Sequence, residues 1–344
     1  MPTTDMTSRE IITRIIEHKS APRIGFNFND PHFSDFGFAE ITFENRFRQY
    51  QDWGTYPELM AKVPGFKGTV HMDSIGNIMG RLENKTNGEC VHGVITDDWD
   101  ALSAFQFPAL ASENGERLKN LSVSAPDKFL VACPPVSVFA TLRDARLMEN
   151  ALMDCILEPD QVKIFEQKVQ TVLLECVELA HDAGIQALML YDDWGTQHAT
   201  FISPDAFVEL FKPVYAAVAQ ALHRYDMKFI VHSCGLVWKF IPHFIEAGVD
   251  VLQFDQPELS GPENLAKIFD HKATLFSPVD IQKIMATGDR AQIEASARNM
   301  LRAFREYNDG ALIAKDYPAW GDIDVAEEWA TWARDIFLTE GWNT

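Results

Sequence analysis

The stretch Phe229-Ile230-Val231-His232-Ser233-Cys234-Gly235 decides how this chain is read. A short apolar run, Phe229 to Val231, ends on a histidine, and a cysteine and a glycine follow closely. Such a run reads as a buried strand. It therefore delivers an imidazole and a thiol to the strand's carboxyl end. Those two groups together suit zinc, a borderline-soft ion that accepts both. The same residues also read as a small core cysteine beside a hydrogen-bonded histidine.

Working outward, similar runs recur. Arg23 to Phe28, Phe129 to Ala132, Ala187 to Tyr191, Val249 to Phe254, Ala273 to Phe276 and Ala311 to Ala314 all read as strands. Helical patterns lie between them. Arg143 to Ala183 is a long helical region, Ser203-Pro204-Asp205 opens a helix, and Val237 to Ala247 is a helix closed by Gly248. Strands alternating with helices signal parallel βα units. Gly68 to Leu82 differs: apolar residues flank Ser74-Ile75-Gly76-Asn77, the signature of an inserted β-hairpin. The expectation is an α/β fold, a (β/α)8 TIM barrel forming a single domain over residues 1–344. An N-terminal hairpin-containing insertion is placed at about 60–110. One barrel strand remains unplaced. A doubly wound open sheet is the rival, but no Gly-x-Gly-x-x-Gly follows a strand, which disfavours its dinucleotide-binding version.

Composition narrows the function. The 344 residues are 47% hydrophobic and 23% charged, with a net charge of −20. That charge argues against nucleic acid and against anionic membranes as partners. The polar start, Met1 to Glu10, carries no signal-peptide core. Five cysteines, Cys90, Cys133, Cys155, Cys176 and Cys234, form no disulfide framework, so a cytoplasmic location is expected.

In a βα barrel the working residues sit at the carboxyl ends of the strands. Asn27, Cys133, Asp192, Asp193, His232, Cys234, Gln253, Asp255, Gln256, Asp280, Lys315, Asp316 and Tyr317 all fall there. Ordinary roles are open to several of them. Asp192 or Asp193 reads equally as a helix cap, Asp280 as a cap before Ile281, and Cys133 as a buried small residue. Lys315 and Asp316 read as a solvated pair at the rim.

Several of these segments resemble the uroporphyrinogen decarboxylase superfamily. They are Tyr191-Asp192-Asp193-Trp194-Gly195-Thr196-Gln197, Ser203-Pro204 with Phe211-Lys212-Pro213, and His232-Ser233-Cys234-Gly235. Pro278-Val279-Asp280-Ile281-Gln282 before Gly288, and Phe66 to Pro108 with Asp97-Asp98-Trp99-Asp100, add to them. The porphyrinogen-decarboxylating arm implies an arginine-rich N-terminal segment, whereas Ala21 to Asn27 holds only Arg23. The arm of corrinoid-dependent methyltransferases implies a His-x-Cys zinc pair, which maps onto His232 and Cys234. It also implies a late cysteine as third ligand, and no cysteine follows Cys234. Asp193, Asp316 and Cys133 are the candidates for that place.

The resemblance thus implies a zinc-dependent methyltransferase. It would move a methyl group between a small molecule (a methyl ether, a methylamine-like compound or a thiol) and a corrinoid carried by a partner protein. Asp192, Asp193 and Tyr317 are the expected catalytic residues, and Asn27, Gln253 and Asp316 the expected substrate contacts. The alternative is a decarboxylase or other lyase acting on a smaller acid, with Arg23, Arg143 or Lys315 as its cation. Oligomeric state is open.

Overall fold

In a computed structural model, residues 5–82, 88–96 and 98–342 are described; Asp97 of the acidic motif lies outside them. The strands in chain order are β1 (Gly25–Asn27), β2 (Phe36–Glu40), β3 (Thr69–Met72), β4 (Ile78–Arg81), β5 (Glu89–His92) and β6 (Phe129–Cys133). They continue as β7 (Ala187–Tyr191), β8 (Lys228–His232), β9 (Val251–Gln253), β10 (Thr274–Ser277) and β11 (Leu312–Lys315). Eight of them form one sheet in the order β1-β11-β10-β9-β8-β7-β6-β2, with every pairing parallel. Helices surround it, so the fold is the expected α/β barrel.

The strand that sequence patterns left unplaced is β2, Phe36-Gly37-Phe38-Ala39-Glu40. No helix separates it from β1, so the usual βα spacing is missing. The connecting segment bridges the two edges instead: the Asp35 amide donates to the Phe26 carbonyl at 2.8 Å. Arg23 locks this seam by donating twice to the buried Asp35 carboxylate, each time at 2.7 Å.

The barrel interior packs as an alternating set. Phe36, Phe129, Val131, Ala187, Met189, Ile230, Val251, Phe276 and Ile313 face inward and cluster with Ile11, Ile12, Ile15 and Ile16. Those isoleucines form one face of the helix Ser8–Ile16. Their spacing of three and four residues gives a single apolar stripe. The helix plugs the amino-terminal end of the barrel: Arg9 N bonds Asp127 O just before β6, and Thr274 Oγ1 at the start of β10 bonds Ile15 O. The opposite mouth is left for chemistry. Between strands, Leu188, Leu190, Phe229, Val231, Leu252 and Leu275 point the other way, into the helical layer.

Two helical expectations change. The region Arg143 to Ala183 is three helices, Val138–Arg146, Met148–Leu157 and Pro159–Asp182. Leu147 breaks the first junction with φ of 66°, and Pro159, which lacks an amide hydrogen, begins the third helix. The helix expected from Val237 covers only Ile241–Ala247, although Gly248 does close it in the left-handed region.

The expected hairpin is β3–β4, and β5 extends it to a separate three-stranded antiparallel sheet, β3-β4-β5. Its β3–β4 turn is built by Asp73, whose Oδ1 accepts from the amides of Ile75, Gly76 and Asn77. Gly76 supplies the positive φ, 108°, that the turn needs. Among the described residues no helix is long and apolar enough to cross a membrane.

Candidate metal centre

Strand alternation sets the site. From inward-facing Ile230 on β8, every second residue leads to His232 and Cys234. From Met189 on β7 the same count leads to Tyr191 and Asp193. The β7–β8 ladder runs on past the strands, with Asp192 N donating to His232 O at 2.9 Å. The two following loops are then zipped together. Trp194 N donates to Ser233 Oγ at 3.1 Å, Cys234 N to Asp193 Oδ1 at 2.8 Å, and Leu236 N to Thr196 O at 2.7 Å. Gly235 fits because a Cβ there would lie 2.2 Å from Gly195 O, and its φ is 87°.

This arrangement brings Asp193, His232 and Cys234 together, their ligand atoms all within 4.8 Å of one another. His232 Nε2 lies 3.4 Å from Cys234 Sγ and 3.3 Å from Asp193 Oδ1. Tetrahedral zinc at its usual bond lengths sets nitrogen–sulfur and nitrogen–oxygen edges of about 3.3–3.6 Å. The nitrogen, sulfur and oxygen donors therefore fit a three-ligand zinc site with one position left open.

The second ring nitrogen of His232 is held by a chain of polar groups. Lys315 Nζ donates to Asp255 Oδ1 at 2.9 Å, and Gln253 Nε2 donates to the same oxygen at 2.8 Å. Burial favours a neutral Asp255, but the Lys315 ammonium and His232 outweigh it and hold the carboxyl below its ordinary range. An ionised carboxylate only accepts, so the Gln253 amide must turn its NH2 toward Asp255 and its oxygen toward His232 Nδ1. Nδ1 then carries the hydrogen, and Nε2 faces Cys234 and Asp193. Such outer partners orient metal-bound imidazoles.

Without metal the cluster is an ion pair. Burial opposes charge on His232, yet Asp193 and Cys234 raise its pKa well above the ordinary value. Burial likewise pushes Asp193 up, but His232 and the Cys234 amide pull it down to about 2. Burial raises the Cys234 thiol, with His232 acting against it.

His232 and Gln253 also line a cavity of about 490 Å³ at the mouth, with Asn27, Met189, Tyr191, Asp255, Phe276, Lys315 and Tyr317. Burial raises the pKa values of Tyr191 and Tyr317, so both phenols stay protonated hydrogen-bond donors at neutral pH. A larger cavity, about 720 Å³, lies beside the insertion and holds none of the trio.

Two expected site residues face elsewhere. Asp192 is fully buried and accepts from Val138 N, Ala140 N and Tyr215 OH, so it caps the helix Val138–Arg146 and does not reach the cavity. Asp316 is an ion-pair partner of Arg334 at 2.7 Å and accepts from Asn29 N, which corrects its placement as a ligand or substrate contact. Both sit one residue out of phase with the inward set. Cys133 Sγ lies 4.0 Å from Tyr191 OH and is not part of the trio. Asp280 caps its turn through Gln282 N and Lys283 N. Of the cations considered for a lyase, Arg23 is bound to Asp35 and Arg143 to Asp144; only Lys315 lines the cavity. Tyr191, Asp255 and Lys315 are site residues to which the sequence reading gave no role in methyl transfer. Counting by twos from Met189, Val251 and Ile313 finds them.

The sequence matches the uroporphyrinogen decarboxylase (URO-D) family over residues 131–314, more than half of the chain. The chain belongs to the uroporphyrinogen decarboxylase family. The matched span of this URO-D family member runs from β6 to β11 and includes the trio. Among solved structures, a methyltransferase from Methanosarcina mazei has a similar fold. It is 13% identical, with 97% of this chain and 100% of that chain covered, and the TM-score is 0.65. A D-psicose 3-epimerase shares 10% identity over 66% of this chain and 83% of its own, with a TM-score of 0.41. A sequence search of curated proteins found no match.

Proposed function

We propose that this URO-D family member is a zinc-dependent methyltransferase of a corrinoid-linked system. It moves a methyl group between a small methyl ether, methylamine-like compound or thiol and a corrinoid on a partner protein. The observation that carries the reading is the trio Asp193, His232 and Cys234, set at zinc-like spacing, with His232 lining the cavity at the barrel mouth. The M. mazei methyltransferase of similar fold supports it.

Asp193, His232 and Cys234 would hold the metal, and Gln253 would fix the imidazole that faces it. Zinc supplies Lewis acidity toward the substrate heteroatom. Met189 and Phe276 give the cavity its apolar wall, suited to a small methylated molecule. Tyr317 and Tyr191, kept protonated, donate hydrogen bonds to polar groups of the substrate, and Asn27 and Lys315 border the same space. The mouth lies opposite the plugging helix, and a protein-borne corrinoid would approach from that side.

The test is a substrate screen with zinc-loaded protein and a free reduced corrinoid, followed by the visible spectrum on methylation. Protein-dependent methylation by one class of donor, lost in His232→Ala and Cys234→Ser, is the expected result. Release of carbon dioxide from a small acid, unaffected by those substitutions, would overturn the reading in favour of a lyase.

A further inference from the structure

A second cluster of metal-binding side chains lies at the opposite end of the barrel. His18 follows the plugging helix Ser8–Ile16, His271 precedes β10, and Asp309 precedes β11. Each offers a ligand atom, and these atoms lie within 4.8 Å of one another. His271 Nδ1 and Asp309 Oδ2 are 2.7 Å apart, and the His18 and His271 rings meet edge-on with centroids 6.5 Å apart.

The decisive feature is His18. Both of its ring nitrogens are buried, and neither has a hydrogen-bond partner. A neutral imidazole carries one donor and one acceptor, and burying both unmet is costly. The two other members are half exposed, 50% for His271 and 54% for Asp309, so an ion can reach their pair from solvent.

The backbone holds the three in place. Buried Asn308 accepts from His271 N at 2.9 Å and donates to Ala273 O at 2.9 Å, tying the two loops together. His18 sits in a closed helix end, with Lys19 N bonded to Arg14 O at 2.8 Å. All three residues adopt positive φ, 52° at His18, 57° at His271 and 54° at Asp309. Histidine and aspartate enter that region more readily than most side chains, and at His18 it closes the helix end.

We propose that His18, His271 and Asp309 bind a divalent first-row transition ion, such as zinc or cobalt, as a structural clamp. Two imidazoles and a carboxylate are a suitable donor set for such ions, with water completing the shell. The ion would join the plugging helix to the loops that start β10 and β11. This site is independent of the mouth and of the proposed methyl transfer.

The experiment uses the full chain carrying His232→Ala and Cys234→Ser, which removes the mouth site. Equilibrium dialysis against micromolar cobalt or zinc should leave about one ion per chain. Cobalt absorption should lack a thiolate band, and zinc should raise the thermal midpoint. Adding His271→Ala should lower the affinity about tenfold or more, as should His18→Ala, with the thermal midpoint of each metal-free variant checking that it folds. No bound ion, or equal binding with and without His18 and His271, overturns the proposal.

Discussion

The side-chain oxygen of Gln253 takes the Nδ1 hydrogen of His232, and so fixes which imidazole nitrogen faces Cys234 and Asp193. Gln253→Ala removes this orientation and leaves all three candidate ligands in place. Zinc affinity should fall about 10- to 100-fold, as for other outer-shell partners. Competition with a calibrated chelator measures it; an unchanged affinity would show that the tautomer is set some other way.

Asp193 and Asp316 were both candidates for the third ligand, and the structure separates them. Asp193→Ala should reduce bound metal and cost less stability than Asp316→Ala, because its carboxylate is partly exposed at the mouth. Asp316→Ala should leave the metal in place. It should cost about 3–5 kcal/mol, because Arg334 would remain buried without its partner. Metal content and denaturant unfolding of the two variants should therefore show opposite patterns. Metal loss in Asp316→Ala alone would reverse the assignment.

Metal binding should be strongly pH-dependent. In the metal-free protein His232 and Cys234 both hold protons above their ordinary ranges, the histidine because Asp193 and Cys234 overcome burial, the cysteine because of burial itself. A metal must displace those protons, so affinity rises with pH, by about tenfold per pH unit for each proton released. Chelator competition from mildly acidic to alkaline pH reads the slope. A flat profile would mean that the bound ion does not use these two side chains.

Glu166 is a buried liability on the helix Pro159–Asp182. Neither carboxyl oxygen has a partner, and burial, with the nearby Asp192 charge, lifts its pKa well above the ordinary 4.5. Because the folded value is raised, its proton-linked stability is complete below pH 4.5 and is lost as pH climbs through the folded value. Glu166→Met should stabilise the protein by about 1–3 kcal/mol, more at alkaline than at acidic pH. Denaturant unfolding at both ends of the range checks this, and a loss of stability on substitution would show an unseen partner.

The sequence carried most of the barrel because each strand announces itself as a short apolar run before a polar turn. It concealed β2, since no helix intervenes between Asn27 and Phe36 to give the repeat its usual spacing. At the mouth, residue type was legible and facing was misread. Asp192 and Asp193 are adjacent, yet one enters the helical layer beside Tyr215 and the other reaches His232. Lys315 and Asp316 divide in the same way, toward Asp255 and toward Arg334. Strand parity from the apolar residues resolves both pairs. The Gln253 relay depends on side-chain orientation and has no sequence signature of its own.

The most direct test of the central claim is metal per chain by elemental mass spectrometry, for the wild type beside His232→Ala and Cys234→Ser, all loaded with zinc. The account predicts about one zinc ion fewer per chain in each variant than in the wild type. Equal zinc in all three proteins would contradict a metal centre at Asp193, His232 and Cys234.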